Sequence, residues 1–130
     1  MKLYAAIMLG GALGSAARFA VSVWIAGRVG EEFPWGTFAV NVIGSFVIGF
    51  VSGLTGPDGP LMVPEVARVF IMVGILGGFT TFSSFSLQTL MLLQDGQWLW
   101  AVGNILLSVF LCLLATAGGI VTANILPLKS

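Results

Sequence analysis

Residues 77–85 read GGFTTFSSF, and this stretch decides how the chain is arranged. It combines two adjacent glycines, four hydroxyl side chains and three phenylalanines. Each glycine costs roughly 1 kcal/mol in a helix interior, and the β-branched Thr80 and Thr81 are stiff at χ1. The stretch therefore predicts a break over residues 77–81 of an otherwise helical segment. Spacing alone also allows a close helix crossing at the glycines without unwinding.

The chain around this stretch is apolar enough to lie in a membrane. Of its 130 residues, 58% are hydrophobic and 8% are charged, and the mean hydropathy is +1.07. Such a composition cannot cover a soluble globule with polar surface, so we expect an integral membrane protein. Residues 1–18 have the pattern of a signal peptide, but removing them would leave an odd, smaller bundle of the three remaining segments.

Four apolar segments are separated by short polar loops. At about 20 residues per span the length leaves no room for a soluble domain, so residues 1–130 are predicted to form one membrane domain. The predicted fold class is an all-α membrane protein with four transmembrane helices per subunit, the third of them broken. The predicted spans are 3–26, 35–55, 67–93 and 98–126.

The charges are few and balanced, five basic against five acidic. The sequence has no basic patch that would indicate nucleic acid as a partner. Lys2, Arg68 and Lys129 lie near one membrane face and Arg28 near the other, which is only a slight bias. So weak a bias is compatible with insertion in both orientations, and hence with an antiparallel homodimer.

The acidic residues lie in or beside the predicted loops, so no span carries a carboxylate within it. They are Glu31, Glu32, Asp58, Glu65 and Asp95. Proton-coupled exporters usually keep an ionisable relay within the membrane, so passive movement is favoured over coupled pumping. Enzyme chemistry is not expected, because no nucleophile has a base beside it in sequence. With no histidine and only one cysteine, a transition-metal site is disfavoured.

Several residues repeat at four-residue helical spacing. The glycine pairs Gly10 and Gly14 and Gly49 and Gly53, and the pair Gly11 and Ser15, favour close packing, either between subunits or within one. Two polar stripes, at 41, 45, 49 and 52 and at 104, 108, 112 and 116, are by themselves ordinary helix-packing patterns. Together with the broken helix they indicate a polar pathway, which places Ser108 in it.

Arg18 is the only basic residue in the interior of a predicted span, since Arg68 is the second residue of the third span. It shares a helix face with Gly14 and Ser22, and a cation there needs water, an anion or another partner. We predict a vestibule or structural role, and the alternative is a side chain that snorkels to the interface.

The break has a chemical consequence. Carbonyl groups freed at membrane depth are tolerated where they line a cavity or bind an ion, and bare carbonyl oxygens suit a hard cation such as Na⁺. Phe82 and Phe85 follow the break on one face. Their ring edges carry partial positive charge and suit an anion, although core packing is the usual role of such a pair.

At these residues the sequence resembles the Fluc (CrcB) family of small fluoride channels. The resemblance covers essentially the whole chain and rests on GGALGSAARF at 10–19, PWGTFAVNVIGSF at 34–46 and GGFTTFSSFS at 77–86. It implies a dual-topology homodimer with inverted subunits, two fluoride pores and a central structural Na⁺. That Na⁺ is expected on the backbone carbonyls of Gly77 and Thr80. Phe82 and Phe85 correspond to the rings that box fluoride, and Asn41 to the pore amide donor.

The same resemblance assigns further positions. A hydroxyl track maps to Thr37, Ser83, Ser84 and Thr116, and Arg18 matches the arginine of the first span. Related sequences often have Glu at Gln88 and an aromatic residue at Asn104, so these two positions depart from the pattern.

The expected function is passive, fluoride-selective export across the cell membrane, giving protection from fluoride toxicity. The expected partners are fluoride, membrane lipid and an inverted second subunit. The runner-up is a small multidrug-resistance exporter, which needs a carboxylate in its first span. The sequence has none there.

Overall fold

The computed structural model describes residues 1–128, which fold into helices joined by short connections. Lys129, counted above in the charge bias, lies outside the described residues. The helices are α1 (Lys2–Val29), α2 (Trp35–Thr55), α3 (Glu65–Val69), a π-helical stretch (Phe70–Ile75), α4 (Leu76–Phe79), α5 (Phe82–Gln94) and α6 (Trp98–Ile125). The prediction of an all-helical chain is confirmed.

Four segments within residues 1–128 are long and apolar enough to cross a membrane: Lys2–Val29, Trp35–Thr55, Glu65–Gln94 and Trp98–Ile125. The first helix continues past the predicted end at residue 26, and the third segment begins at Glu65, two residues before the predicted start. Glu65 is exposed in the first turn of α3. The chain is therefore a multi-pass membrane protein.

The third segment is not a uniform α-helix. Its residues 70–75 are π-helical, a feature that the sequence analysis did not predict. Gly77 and Gly78, where unwinding was expected, remain helical within α4, and the two residues outside helical structure are Thr80 and Thr81. Gly78 packs closely against α1, since a Cβ there would lie 2.7 Å from the Gly11 carbonyl oxygen, whereas a Cβ on Gly77 would meet no atom of α1 within 4 Å.

Two seams without bulky side chains hold the bundle together. A methyl group on Gly14 of α1 would collide with the backbone of Ile75, and one on Gly49 of α2 with that of Thr116 in α6. Small residues allow this approach, which gives van der Waals contact along the backbones. The glycine pairs of the sequence analysis therefore pack within one subunit, the second of the two alternatives.

The outer surface of the bundle is apolar. Phe19, Phe110 and Leu113 are each at least two-thirds exposed, while the buried set is small and includes Val40, Ala101 and Asn104. An apolar outer surface and a small buried set are expected where helices face lipid or another subunit rather than water.

Candidate functional site

The centre of the site is the interruption between α4 and α5. Thr80 (φ −85°, ψ 158°) and Thr81 (φ −152°, ψ 120°) are both extended. Thr81 then caps α5, because its Oγ1 accepts a 3.1 Å hydrogen bond from the Ser84 backbone N–H. Threonine suits both tasks, since β-branched residues favour extended backbone and a hydroxyl one position before a helix satisfies a free N–H.

Asn41 of α2 holds the interruption from across the bundle. Its Nδ2 donates to the Thr81 carbonyl oxygen at 2.9 Å, and its Oδ1 accepts from the Thr81 N–H at 2.7 Å. One side chain thus satisfies both backbone groups of the extended residue, which would otherwise be left without partners in hydrocarbon. Asn41 was predicted as a pore amide donor. One of its two amide protons is donated to Thr81, and the other forms no hydrogen bond with a described residue.

The interruption frees several backbone carbonyl groups, and those of Gly77 and Thr80 are among them. In a continuous helix the Thr81 N–H would donate to Gly77 and the Ser84 N–H to Thr80. Here these donors bind Asn41 Oδ1 and Thr81 Oγ1 instead. The carbonyls of Gly77 and Thr80, the two residues expected to bind a cation, therefore lose their helical donors.

An inner cavity of about 400 Å³ lies beside the interruption. It brings together six of the predicted site residues: Asn41, Gly77, Thr80, Phe82, Phe85 and Ser108. Gly44 of α2 also lines it and leaves room for Thr80, since a Cβ there would collide with the Thr80 methyl group. Gly44 was not among the predicted site residues, although it lies three residues after Asn41 and hence near the same helix face.

The two aromatic rings of the cavity differ in their surroundings. Phe85 is buried at 8% exposure, whereas Phe82 is 76% exposed. Their ring centroids lie 5.3 Å apart with the planes tilted by 48°. In such a tilted pair the rings present edges as well as faces, and a ring edge is the part that attracts an anion.

The remaining predicted residues lie elsewhere. Thr37 is buried and lines a separate outer cavity of about 720 Å³. Ser83 is exposed, with its hydroxyl 3.2 Å from Thr81 Oγ1, while Ser84 contributes its backbone N–H to the cap. Thr116 donates to the Cys112 carbonyl and does not reach the inner cavity. These four residues do not line the inner cavity, and their place in a continuing fluoride route stays a prediction.

The outer cavity is lined in part by acidic and amide side chains. Glu31, Glu32 and Asp95 line it together with Gln88. The Gln88 Oε1 atom is buried and has no hydrogen-bond partner among residues 1–128. Arg18 lies half-buried outside both cavities and forms no hydrogen bond with another described residue.

A buried polar network joins α5 and α6 behind Phe85. Ser108 Oγ donates to Asn104 Oδ1 at 3.1 Å, and Asn104 Nδ2 donates to Thr89 Oγ1 at 2.9 Å. Thr89 Oγ1 in turn donates to the Phe85 carbonyl at 2.7 Å. Thr89 was not among the predicted site residues, and its only signal in the sequence is its position one helical turn after Phe85.

A family model and the sequences of known proteins both match most of this chain. A family model described as "CrcB-like protein, Camphor Resistance (CrcB)" matches residues 5–120. A protein from Opitutus terrae called "Fluoride-specific ion channel FluC" is 58% identical over 95% of this chain and 93% of its own. Proteins with the same name from Methylocella silvestris (57%, over 92% of each chain) and Rhodospirillum rubrum (56%, over 85% of this chain and 86% of its own) are similarly close.

Proposed function

The chain belongs to the CrcB family, and on that premise we propose that it is a fluoride-selective channel which exports fluoride passively and protects the cell from it. The names of its relatives are those of ion channels rather than enzymes. The observation that carries the proposal is the inner cavity, where amide, hydroxyl and aromatic groups meet at a helix interruption.

The lining of the cavity suits a small, strongly hydrated anion. A selective path must replace the water of fluoride with donors without holding the ion too tightly. The free amide proton of Asn41 and the edges of Phe82 and Phe85 supply positive potential without a full charge. None of the residues that line this cavity is Asp, Glu, Lys or Arg, so an anion there meets no charged side chain that would trap or repel it. Membrane potential then drives fluoride outward.

A structural Na⁺ fits the residues at the interruption. Gly77 and Thr80 each have a carbonyl whose helical donor is diverted to Asn41 or Thr81. Oxygen dipoles of unwound backbone are the donor set that coordinates Na⁺ in other broken membrane helices. The proposed ion supplies positive charge beside the path, and the chain's own residues hold it through these two carbonyls.

The proposed assembly is a homodimer with inverted subunits. Phe82 lines the cavity yet is 76% exposed in the single chain, so an inverted second copy would complete the wall around it. The weak charge bias between the loops is compatible with both orientations of insertion. The runner-up, a proton-coupled multidrug exporter, is disfavoured because α1 contains no Asp or Glu.

Fluoride efflux from liposomes containing the purified protein tests the proposal. We expect fluoride release without chloride release, because chloride is larger and binds donors less strongly. Replacing external and internal Na⁺ with a larger organic cation should slow release or dissociate the dimer. Chloride release at the same rate would exclude a selective channel.

The Phe82→Ile variant tests the aromatic part of the path. Isoleucine fills similar space without a polarised ring edge, so fluoride release should slow by at least about tenfold, the equivalent of one hydrogen bond to the ion. Phe110→Ile is the matched control, since Phe110 is similarly exposed at 67% on the outer surface of α6 and lines neither cavity. Equal rates in both variants would contradict the role of Phe82.

A further inference from the structure

The network between α5 and α6 begins and ends on the wall of the inner cavity. Ser108 and Phe85 both line that cavity, while Asn104 and Thr89 connect them from behind. All four are buried, and Asn104 is only 1% exposed. Three hydrogen bonds run in one direction, from Ser108 through Asn104 and Thr89 to the Phe85 carbonyl.

The direction of these bonds limits what Ser108 offers to the cavity. A serine hydroxyl has one proton, and Ser108 donates it to Asn104 Oδ1. Towards the cavity its oxygen then presents lone pairs only. Lone pairs repel an anion, so in this arrangement Ser108 is not a fluoride ligand.

A half-turn of the Asn104 amide reverses the direction. The carboxamide places an acceptor and a donor at nearly equivalent positions, and its terminal torsion has a broad, roughly twofold preference. After the turn Nδ2 donates to Ser108 and Oδ1 accepts from Thr89. The Ser108 proton is then free, and the Thr89–Phe85 side-chain bond is exchanged for a bond from Ser108 to the ion. The number of hydrogen bonds stays at three.

On the basis of the proposed fluoride path, we propose that Asn104 is a positioning residue whose amide orientation decides whether Ser108 donates a proton to an anion in the inner cavity. A hydrogen bond to an anion is stronger than one between neutral groups, so an arriving ion favours the turned amide. Thr89 supports the exchange because its hydroxyl has two alternative acceptors, Phe85 O and Asn104 Oδ1.

A double-mutant cycle of fluoride efflux from liposomes tests this coupling. Asn104→Leu removes the group that can release the Ser108 proton, which then turns to a backbone carbonyl one helical turn earlier. We expect N104L and S108A each to slow efflux roughly tenfold, the equivalent of one net hydrogen bond. Because both remove the same donor, the double variant should be no slower than S108A alone.

The results of this cycle distinguish failure of the inference about Asn104 from failure of the proposed function. If the wild-type protein releases no fluoride, both fail. If it does, a double variant slowed by the product of the single effects, roughly a hundredfold, would show that Asn104 acts independently of Ser108 and would overturn the inference. Wild-type speed in N104L would overturn it as well.

Thr89 provides a second cycle if N104L does not fold. T89V removes the hydroxyl that the turned amide needs, so it should slow efflux and give no further slowing in the S108A background. T89S keeps the hydroxyl and should retain the wild-type rate. An efflux rate in T89V equal to that of T89S would overturn the inference.

The NMR signals of the Asn104 side-chain amide should change only if that amide responds to the ion. The chain has three asparagines, at 41, 104 and 124, so selective ¹⁵N-asparagine labelling resolves the three side-chain amides by NMR. Addition of sodium fluoride, but not sodium chloride, should shift the Asn104 amide signals in the wild type and not in S108A. Unchanged Asn104 signals in protein that conducts fluoride would overturn the inference.

Discussion

Helix α2 makes two kinds of contact within three turns of its length. At Gly49 its backbone lies against Thr116 of α6, and both helices are uninterrupted there. At Asn41 it faces the interruption, and a side chain replaces the partners that Thr81 lacks. Close packing in a membrane thus needs only small residues, whereas a broken backbone needs a specific polar residue from another helix.

The largest expected effect comes from removing that polar residue. Asn41→Leu leaves the N–H and C=O of Thr81 without partners, and each such group costs about 1–3 kcal/mol, or about 2–6 kcal/mol together. We expect a much lower melting temperature in detergent and loss of fluoride efflux. Asn124→Leu, an exposed position in the last turn of α6, should leave both unchanged. Similar melting temperatures for the two variants would contradict the supporting role of Asn41.

The next largest effect concerns the close packing of α2 against α6, which a comparison of two glycines of α6 tests. A methyl group on Gly119 would collide with the Phe46 carbonyl, whereas one on Gly103 would have nothing within 4 Å. We expect Gly119→Ala to destabilise by about 1–3 kcal/mol through overpacking. Gly103→Ala should stabilise by up to about 1 kcal/mol, because alanine is the better helix former. If the melting temperatures of both variants shifted in the same direction, the close packing of α6 against α2 at Gly119 would be contradicted.

The smallest expected effect tests the role of Thr81 as the N-cap of α5. Thr81→Val keeps the β-branched shape and removes the acceptor for Ser84 N–H, so it should cost about 1 kcal/mol in unfolding free energy. Thr81→Ser keeps the acceptor and should cost less. Denaturation in detergent measures both. The interpretation would be wrong if the serine variant were the less stable of the two.

Much of this architecture was predictable because its signals are local. Hydropathy marks four spans, and α2 begins and ends at the predicted residues, Trp35 and Thr55. The glycine pairs correctly indicated close packing, yet their spacing could not tell packing within a subunit from packing between subunits. The structure decides this, since Gly14 meets Ile75 of the same chain.

The candidate site was predicted in part. Asn41, Phe82, Phe85 and Ser108 do meet in one cavity, but Thr37 and Thr116 do not join them. The break lies at Thr80 and Thr81 rather than at the glycines, because helix propensity describes an isolated segment and Gly78 is held by α1. The π-helical stretch at 70–75 had no recognisable signal in the sequence.

The sequence alone determined that this chain lies in a membrane, crosses it four times and carries polar groups where its third segment is weakest as a helix. These properties follow from hydropathy and backbone preference, which act over a few neighbouring residues. Only the tertiary structure decided which polar atoms are hydrogen-bonded within the fold and which are left without a partner in it. That division depends on hydrogen bonds between residues 40 positions apart, such as Asn41 and Thr81, which no local pattern specifies.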